Sequence, residues 1–520
     1  MGKFIKTYLP YILFSVSFIC LCLFIVLRIN AVLDSDMSSE MLLAKELSKG
    51  NLFLTDKWYY STEIRVLNTQ FIFAFLFKIF SDWYAVRVIG SILCFVLFGI
   101  CLFLFFKVFG MTKIFPYVAT LAILPISIDY FQFVIYGLYY IPHICISLIT
   151  FCLIKKSLQG NLRKSVIFTT FAAVIAVFAG MGGYRQLIIF YVPAFIVSII
   201  VFAINYNSEN SKAYLKLLVI SFIVLFVSVV GCLINVRFLH KKYSFYSYEI
   251  NFTGLSVTRL FDSVMALIRM FGYEDGKVMS FKLVKNAIAF IIFFMFILSC
   301  VDIVKYKEKY SSNVRYLTFF FIIGYLCLTL LYVFTDMSYV VRYFYPVSFF
   351  AIPIIIIYLS EIRYKICVKD MDIALKQAGS IVFIGLIIVS AFLGYKEIMK
   401  INNKNKENVC NFLVEQGYNE GLATFWNGNV LTELSNGKLE IWVLDPYNPN
   451  VSINDRFLWL QNVSHSINQP DGKLFVLLAE NEVSTYRIAE KLSDENMIYR
   501  VEGYVVWGFE SYGQLQALYD

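Results

Sequence analysis

Long apolar blocks separated by short polar connections dominate residues 1–400 of the chain. Several blocks run for roughly 17–22 residues, which as helices are long enough to cross the ~30 Å hydrocarbon core of a bilayer. Helices are the expected form because every backbone amide and carbonyl in lipid must be bonded within its own segment. The pattern predicts eleven spanning helices, at 8–27, 84–106, 114–128, 140–154, 165–180, 187–204, 216–235, 286–304, 316–334, 344–360 and 379–396.

Clusters of lysine and arginine lie in every second connection between these helices. When the helices alternate in direction, all the clusters fall on one side, and the positive-inside rule makes that side cytoplasmic. The basic residues concerned are Lys3, Lys6, Lys107, Lys113, Lys155, Lys156, Arg163, Lys164, Lys212, Lys216, Lys305, Lys307, Lys309, Arg315, Arg363, Lys365 and Lys369. The amino terminus is therefore predicted to be cytoplasmic. A first loop at 28–83, a second loop at 236–285 and the tail from 401 are predicted to face outward.

The tail at 401–520 has the patterning of a soluble domain. The segments KENVCNFLVEQGY, NGNVLTELSNG and ENEVSTYRIAEKL predict helices, and GLATFW, KLEIWVL, KLFVLLA and MIYRVEGYVVWGF predict strands. Alternating strands and helices favour a small extracytoplasmic α/β sandwich attached to a transmembrane module at 1–400. The tail contains no glycine-rich phosphate loop and no Ser-His-Asp order, so it is interpreted as a binding or scaffolding module.

The composition agrees with a polytopic membrane protein: 59% of the residues are hydrophobic, 16% are charged and the mean hydropathy is +0.70. The net charge of +9 comes mostly from the basic connections, so it predicts orientation in a lipid bilayer and no nucleic-acid partner. All but one of the eleven cysteines lie in or beside apolar segments and predict no disulfide framework. The exception, Cys410, offers a labelling site that is expected to lie outside.

Three acidic side chains, Asp34, Asp36 and Glu40, follow the first predicted helix in the stretch VLDSDMSSEMLLAKELSKGN. From Met37 this stretch predicts an amphipathic helix that lies in the membrane interface. Asp36 at its start is a preferred N-cap, which is a purely structural role. The alternative is chemical, because a carboxylate there could take a proton from an acceptor hydroxyl. Asp36 and Glu40 could also help to bind Mg²⁺ or Mn²⁺ through oxygen ligands.

This stretch resembles the signature of the type C (GT-C) glycosyltransferase superfamily, which includes protein O-mannosyltransferases and lipid A aminoarabinose transferases. In those proteins an acidic residue begins a juxtamembrane helix that continues with a small residue, a leucine and a glycine, and Ala44, Leu47 and Gly50 keep that spacing. Met37 stands where many members have Glu, which leaves both Asp34 and Asp36 as candidates for the catalytic acidic position.

The resemblance implies a helical polytopic membrane fold with an external first loop and an external carboxyl-terminal α/β domain. It implies transfer of a sugar from a polyprenyl-phosphate carrier to an acceptor at the outer face, with Asp36 as the base. A groove between helices would hold the carrier tail, and cations at the interface would hold its phosphate.

The first loop continues with WYYSTEIRVLNTQ, which offers further candidate contacts. Tyr59 and Tyr60 could stack on sugar faces, although aromatic residues also favour the membrane interface without any ligand. Glu63 and Arg65 could bind hydroxyls or phosphate, and an exposed salt bridge between them is the plain alternative.

Two arginines and a histidine lie at predicted outer helix ends. Arg185 in GGYRQ and Arg342 in YVVRYFYP present guanidinium groups that match phosphate oxygens and would together hold a leaving phosphate. The structural alternatives are snorkelling of Arg185 and an ion pair between Arg342 and Asp336. His143 is a candidate phosphate donor or a hydrogen-bonded structural residue.

The leading hypothesis is a glycosyltransferase of a bacterial plasma membrane that transfers one sugar to a cell-envelope glycan, lipid or protein. A flippase or exporter of lipid-linked oligosaccharides would use the same arginines but no carboxylate chemistry. A glycan polymerase or ligase is the third class, and it would not need the acidic helix start. The sequence shows no convincing internal repeat of the kind that many transporters carry.

Overall fold

The computed structural model describes residues 2–62, 64, 66–246, 250–275, 281–361 and 369–519. The chain divides into two compact units. The first unit contains Met1–Leu23, Cys94–Asn235 and Glu249–Lys400. The second unit contains Phe24–Leu93, Val236–Tyr248 and Ile401–Asp520, so it combines residues from both predicted outer loops with the tail.

Helices account for most of the chain before residue 400. They are α1 (Gly2–Arg28), α2 (Ser35–Ser48), α3 (Gln70–Phe77), α4 (Trp83–Val108), α5 (Phe115–Ile123), α6 (Ile128–Tyr130), α7 (Ile141–Gln159), α8 (Leu162–Met181), α9 (Val192–Ile204), α10 (Ser211–Ile234), α11 (His240–Lys242), α12 (Val257–Met270), α13 (Phe281–Lys305), α14 (Ser312–Phe334), α15 (Tyr345–Ser348), α16 (Ala351–Glu361) and α17 (Lys369–Ile398). Two short strands, β1 (Tyr59–Tyr60) and β2 (Ser244–Phe245), pair in parallel.

Eight helices in the described part of the chain are long and apolar enough to cross a membrane, and ten if each of two bent pairs forms one span. These segments agree in position with ten of the predicted spans, which confirms a multi-pass membrane protein. The eleventh predicted span, 379–396, falls within α17. The count of eleven stays a prediction.

The predicted span at 114–128 is not one straight helix. Thr112–Ile123 and Ile128–Tyr136 meet at an angle of 96°. Pro125 explains the break, because a proline disfavours the helical conformation in the residue before it, and Leu124 is extended with ψ 143°. The turn is tightly packed: a Cβ on Gly394 of α17 would lie 1.8 Å from the carbonyl oxygen of Pro125.

Helices α8 and α10 cross in close contact through glycines. A Cβ on Gly180 would lie 2.1 Å from the carbonyl oxygen of Ser228, and a Cβ on Gly231 would lie 2.2 Å from that of Val177. Small residues allow the backbones of membrane helices to approach this closely, which increases van der Waals contact where no hydrophobic driving force acts.

The tail forms a five-stranded sheet with helices on its faces. Its elements are α18 (Lys404–Glu415), β3 (Glu420–Thr424), α19 (Phe425–Leu434), β4 (Glu440–Leu444), β5 (Leu474–Ala479), α20 (Glu480–Val483), β6 (Met497–Val501), β7 (Tyr504–Phe509) and α21 (Tyr512–Gln516). The strand order is β4-β3-β5-β7-β6, with β3, β4 and β5 parallel and β7 antiparallel to both β5 and β6. The predicted strands and the helices α18 and α19 are present. The predicted helix at 480–492 is only the short α20 followed by a separate helical turn at Arg487–Lys491.

Both faces of this sheet are covered. Neighbouring residues of β3 and β5 point alternately to opposite faces, as the pleat requires. Leu422 and Val476 belong to one buried cluster, and Ala423 and Phe475 belong to the other. The sheet is therefore the middle layer of a sandwich, which confirms the α/β character predicted for the tail.

Candidate active site

The acidic stretch of the first loop forms the start of α2, and Asp34 is its N-cap. Asp34 is extended (φ −121°, ψ 172°), and its Oδ1 accepts a hydrogen bond of 2.8 Å from the backbone amide of Met37. The sequence pattern predicts Asp36 as the N-cap, whereas the structure places Asp36 in the first turn of the helix. The capping role therefore belongs to Asp34.

Helix α2 is buried on most of its surface. Met41, Leu43 and Leu47 are at most 5% exposed, and the helix packs against α3 and α19 of the same unit. The prediction that these apolar side chains lie in lipid headgroups is therefore wrong. Protein covers them because α19 supplies a complementary face that periodicity in the first loop cannot reveal.

A buried ion pair contacts the first turn of α2 and links it to α19. The guanidinium of Arg87 donates two hydrogen bonds of 2.7 Å to the carboxylate of Glu433 in α19, and a third, of 2.9 Å, to the carbonyl oxygen of Met37. The side chains of Arg87 and Glu433 are 2% and 4% exposed. This pair is not among the residues predicted from the sequence, although an arginine within an apolar helix is itself a signal of a specific role.

The loop before α2 is also anchored from within the second unit. Asn403 donates hydrogen bonds to the carbonyl oxygens of Asn30 (2.9 Å) and Leu33 (2.8 Å). Lys406 interacts electrostatically with Asp34, and burial lowers the pKa of its ammonium group while Asp34 acts in the opposite direction. The start of α2 is thus positioned by side chains from the beginning of the tail.

Asp36 and Glu40 are one helical turn apart and share a face of α2. Glu40 accepts a hydrogen bond of 3.4 Å from Asn68. Within the described residues no group of three or more His, Cys, Asp or Glu side chains is arranged to hold a metal ion. Two carboxylates fit a cation such as Mg²⁺ only when water and substrate phosphates supply the remaining oxygens.

The aromatic segment after α2 is part of the protein interior. Tyr60 is 3% exposed, and its hydroxyl donates to the carbonyl oxygen of Thr55 at 3.1 Å. Burial raises the pKa of Tyr60 to about 12. Tyr59 is half-buried, and its hydroxyl lies 2.9 Å from the Oγ of Ser466. The structure gives Tyr60 a packing role and leaves Tyr59 as the more accessible candidate; Glu63 and Arg65 lie outside the described residues.

In the first unit, Arg185 and His143 belong to one polar cluster. Arg185 donates a 3.2 Å hydrogen bond to the hydroxyl of Tyr140, and its guanidinium lies 4.8 Å from the ring centre of Tyr343. The Nδ1 of His143 lies 2.9 Å from the Oε1 of Gln186, which neighbours Arg185. The structure therefore brings the predicted residues Arg185 and His143 together. Tyr343, whose ring contacts Arg185, is the residue directly after Arg342.

Arg342 itself lies over the ring of Phe133, 4.9 Å from its centre. Asp336, the alternative partner considered for Arg342, accepts hydrogen bonds from the backbone amide (2.8 Å) and side-chain amide (2.9 Å) of Asn251. These bonds hold the pKa of Asp336 below its usual value. The structure thus bonds the carboxylate of Asp336 to Asn251 in the second loop.

A second group of ionisable residues in the first unit is not among those predicted from the sequence. Lys285, 3% exposed, forms an ion pair with Glu274, and Arg269 forms one with Asp275. Asp129, directly after the break at Pro125, interacts electrostatically with Arg269 and Lys285. Charged groups at or inside a membrane are costly and are commonly functional. The two ion pairs are local to residues 269–285, but the approach of Asp129 joins segments about 140 residues apart, and no local pattern indicates that.

The chain thus contains a multi-pass helical module, the loop helix α2 and a carboxyl-terminal five-stranded sheet. The crystal structure of ArnT from Cupriavidus metallidurans bound to undecaprenyl phosphate is similar to this chain, with a TM-score of 0.58 over 95% of this chain and 97% of that chain. The two sequences are 9% identical, so the likeness is one of fold. Neither a sequence-family model nor a curated protein matches the chain. The resemblance seen in the first loop is confirmed at the level of the fold.

Proposed function

We propose that the protein is an integral membrane glycosyltransferase that transfers a sugar from a polyprenyl-phosphate donor to a glycan, lipid or protein acceptor. The observation that carries this proposal is the likeness, over 95% of the chain, to a protein that was crystallised with undecaprenyl phosphate. The acidic start of α2 in the first loop, where the sequence resembles the type C signature, supports it independently.

In the proposed reaction the carboxylate of Asp36 accepts the proton of an acceptor hydroxyl. The acceptor oxygen then forms a bond to the anomeric carbon of the sugar, while the bond between that carbon and the phosphate oxygen breaks. The polyprenyl phosphate leaves with the electron pair, and a direct displacement of this kind inverts the anomeric configuration. A positioned general base of this type contributes about 10²–10⁴-fold to a rate.

Asp36 is preferred over Asp34 because the two carboxylates are held differently. Asp34 already accepts the Met37 amide hydrogen bond that caps α2. Asp36 lies in the first turn, where the helix dipole favours the carboxylate form. Asp34 is therefore assigned to positioning. Asp36 is assigned to proton transfer, or with Glu40 to binding Mg²⁺ or Mn²⁺.

Arg185 and Arg342 are proposed to bind the phosphate of the carrier. Negative charge grows on the leaving oxygen during glycosyl transfer, and preorganised cations stabilise that charge. The neighbouring rings of Tyr140 and Tyr343 restrict the guanidinium of Arg185 and so reduce the entropy lost when phosphate binds. We further propose that the reaction takes place at the outer face of a bacterial plasma membrane, with the amino terminus cytoplasmic.

The direct test replaces Asp34 and Asp36 singly with Asn and assays membranes with labelled polyprenyl-phosphate sugars. Asp36→Asn is expected to lose at least about 100-fold in rate. Asp56→Asn, an exposed change of the same charge in the same loop, is the matched control and is expected to retain full activity. Full activity in both the Asp34 and Asp36 variants would remove the catalytic assignment. A flippase would tolerate Asp36→Asn but would still depend on Arg185 and Arg342.

A further inference from the structure

The first unit contains a cavity of about 480 Å³ at the ends of five helices. Residues from the last turns of α7, α9 and α13 and from the first turns of α10 and α14 line it. Lys155 in this cavity and His143 of the candidate active site belong to the same helix and are twelve residues apart. That separation is roughly 18 Å along the axis at 1.5 Å per residue, so the cavity lies at the opposite end of α7 from Arg185 and His143.

The polar lining of the cavity is cationic. Lys155, Lys307 and Arg315 contribute to it, and the described lining contains no Asp or Glu. The ammonium group of Lys155 donates a 2.8 Å hydrogen bond to the neutral side chain of Asn313. The Nε of Arg315 is buried without a hydrogen-bond partner among the described residues. An unsatisfied buried guanidinium nitrogen is costly, and an anionic ligand would satisfy it.

Two helix starts add to the preference for an anion. Asn210, the N-cap of the long helix α10, and Ser312, the first residue of the long helix α14, both line the cavity. The first amides of a helix carry partial positive charge and are ready donors to phosphate oxygens. The charges of the basic side chains and the partial charges of the two helix starts are therefore both positive, and both attract an anion.

The remaining walls are apolar. Phe109, Phe151, Val201, Leu217 and Phe319 face the cavity and give it a larger apolar than polar surface. A volume near 480 Å³ is within the ~300–1,000 Å³ typical of small-molecule sites, which is far more than an inorganic phosphate needs. A cavity with cationic side chains and apolar walls is suited to an amphiphile whose headgroup is phosphate.

We infer that this cavity is a binding site for a phosphate-bearing lipid, with Lys307 and Arg315 holding the phosphate and the aromatic walls holding the first part of the chain. Basic pockets between membrane helices on the cytoplasmic side are known to bind anionic headgroups, and the surrounding lysine clusters predict that side here. The site is separate from the one proposed for glycosyl transfer and does not depend on that function.

The test measures binding of dioctanoyl phosphatidic acid to the purified full-length protein in a nonionic detergent by calorimetry. Dioctanoylglycerol, which lacks the phosphate, and inorganic phosphate, which lacks the chain, are expected to bind at least about tenfold more weakly. Lys307→Gln and Arg315→Gln are each expected to weaken phosphatidic acid binding about tenfold, the effect of losing one strong charged contact. Arg163→Gln, an exposed change of equal charge elsewhere in the basic loops, is expected to bind like the unaltered protein.

Lys307 is exposed, so its replacement tests the site without disturbing the fold. Equal binding of phosphatidic acid and dioctanoylglycerol would overturn the inference, as would unchanged binding in Lys307→Gln. Phosphate binding as tight as that of the lipid would assign a simple anion site instead and would also overturn it. Loss of binding in Arg185→Gln but not in Lys307→Gln would place the lipid at the proposed carrier site. Loss in Lys307→Gln alone supports the second site even if glycosyl transfer is disproved.

Discussion

Asp34 and Asp36 are separated by one residue, yet their environments give them different roles. The Asp34 side chain completes the hydrogen bonding of the helix start, whereas the Asp36 side chain is one position inside the first turn. A substitution that keeps the capping oxygen should therefore be tolerated at residue 34 and not at residue 36.

We predict that Asp34→Asn retains most of the activity, because the Asn side-chain oxygen can accept the same Met37 amide. Asp34→Ala should lower the free energy of unfolding by about 1 kcal/mol, the usual effect of removing an N-cap. Thermal denaturation and transferase assays on the two variants check this. An Asp34→Asn enzyme as inactive as Asp36→Asn would show that Asp34 has a chemical role as well.

His465 and Glu440 provide a pH-dependent contact in the second unit. The Nε2 of His465 lies 2.8 Å from Oε1 of Glu440, and the ring of His465 stacks on Trp442 with a centroid separation of 4.5 Å. The hydrogen bond from His465 lowers the pKa of Glu440. Because the folded-state pKa is below the unfolded one, the stabilisation is present above about pH 4.3 and is lost as the pH falls through the folded value.

Glu440→Gln is accordingly predicted to lower the melting temperature at pH 7 and to have a smaller effect at about pH 4. Melting curves of the detergent-solubilised protein at both values measure the difference. Glu415→Gln, an exposed change in the same unit, is the control and should have little effect at either pH. A constant deficit for Glu440→Gln at both values would contradict the assignment.

At the scale of elements, the pairing of α2 with α19 depends on the ion pair between Arg87 and Glu433. Arg87→Met leaves a buried carboxylate without its partner and should cost about 3–5 kcal/mol of stability. The double variant Arg87→Met with Glu433→Leu should recover most of that loss, since it removes both charges. Arg500→Met breaks an exposed pair of 3.7 Å with Glu480 and should change stability by about 0–1 kcal/mol.

These three variants and the unaltered protein are compared by melting temperature and by limited proteolysis of the first loop. Cleavage within α2 is expected for Arg87→Met only. A double variant as unstable as the single one would show that the hydrogen bond to the Met37 carbonyl, and not charge burial, determines the effect.

The crossing of α8 and α10 gives a second prediction for elements. Gly180→Ala should lower the melting temperature, because its new methyl group would collide with the carbonyl oxygen of Ser228 and separate the helices. Gly99→Ala is the matched control: no heavy atom lies within 4 Å of its Cβ position, and alanine is the better helix former by about 1 kcal/mol. Equal melting temperatures for the two variants would contradict close packing at Gly180.

For the whole molecule, the orientation of the tail can be tested by cysteine labelling, but not at Cys410. That residue is 1% exposed, and burial raises the pKa of its thiol to about 12, so it will not react readily. Exposed positions are needed instead. An impermeant maleimide is expected to label Gln416→Cys on intact cells and Lys164→Cys only after permeabilisation. The reverse pattern would invert the proposed topology.

The features that could be predicted from the sequence are those that depend on residues close together in the chain. The apolar blocks, the strands around Leu422, Val443 and Val476 and the helix that starts near Asp34 follow from local periodicity and from the preferences of caps. The sequence did not reveal the α19 face that covers Leu47, or the charges around Asp129, because these depend on segments far apart in the chain. Pro125 is a sequence signal for the break between α5 and α6. The prediction of one continuous span there followed hydropathy, which does not register the break.

The hydrogen bonds between Arg87 and Glu433 join residues that are 346 positions apart. At typical rates of about 5–20 residues per second, a ribosome reaches the carboxylate roughly 20–70 s after it has inserted the guanidinium. During that interval water, lipid phosphate or a chaperone must bind the cation, and α2 lacks its final neighbour. A growing chain of this protein therefore spends most of its synthesis before α2 can pack against α19, and the second unit is complete only after the last segment has emerged.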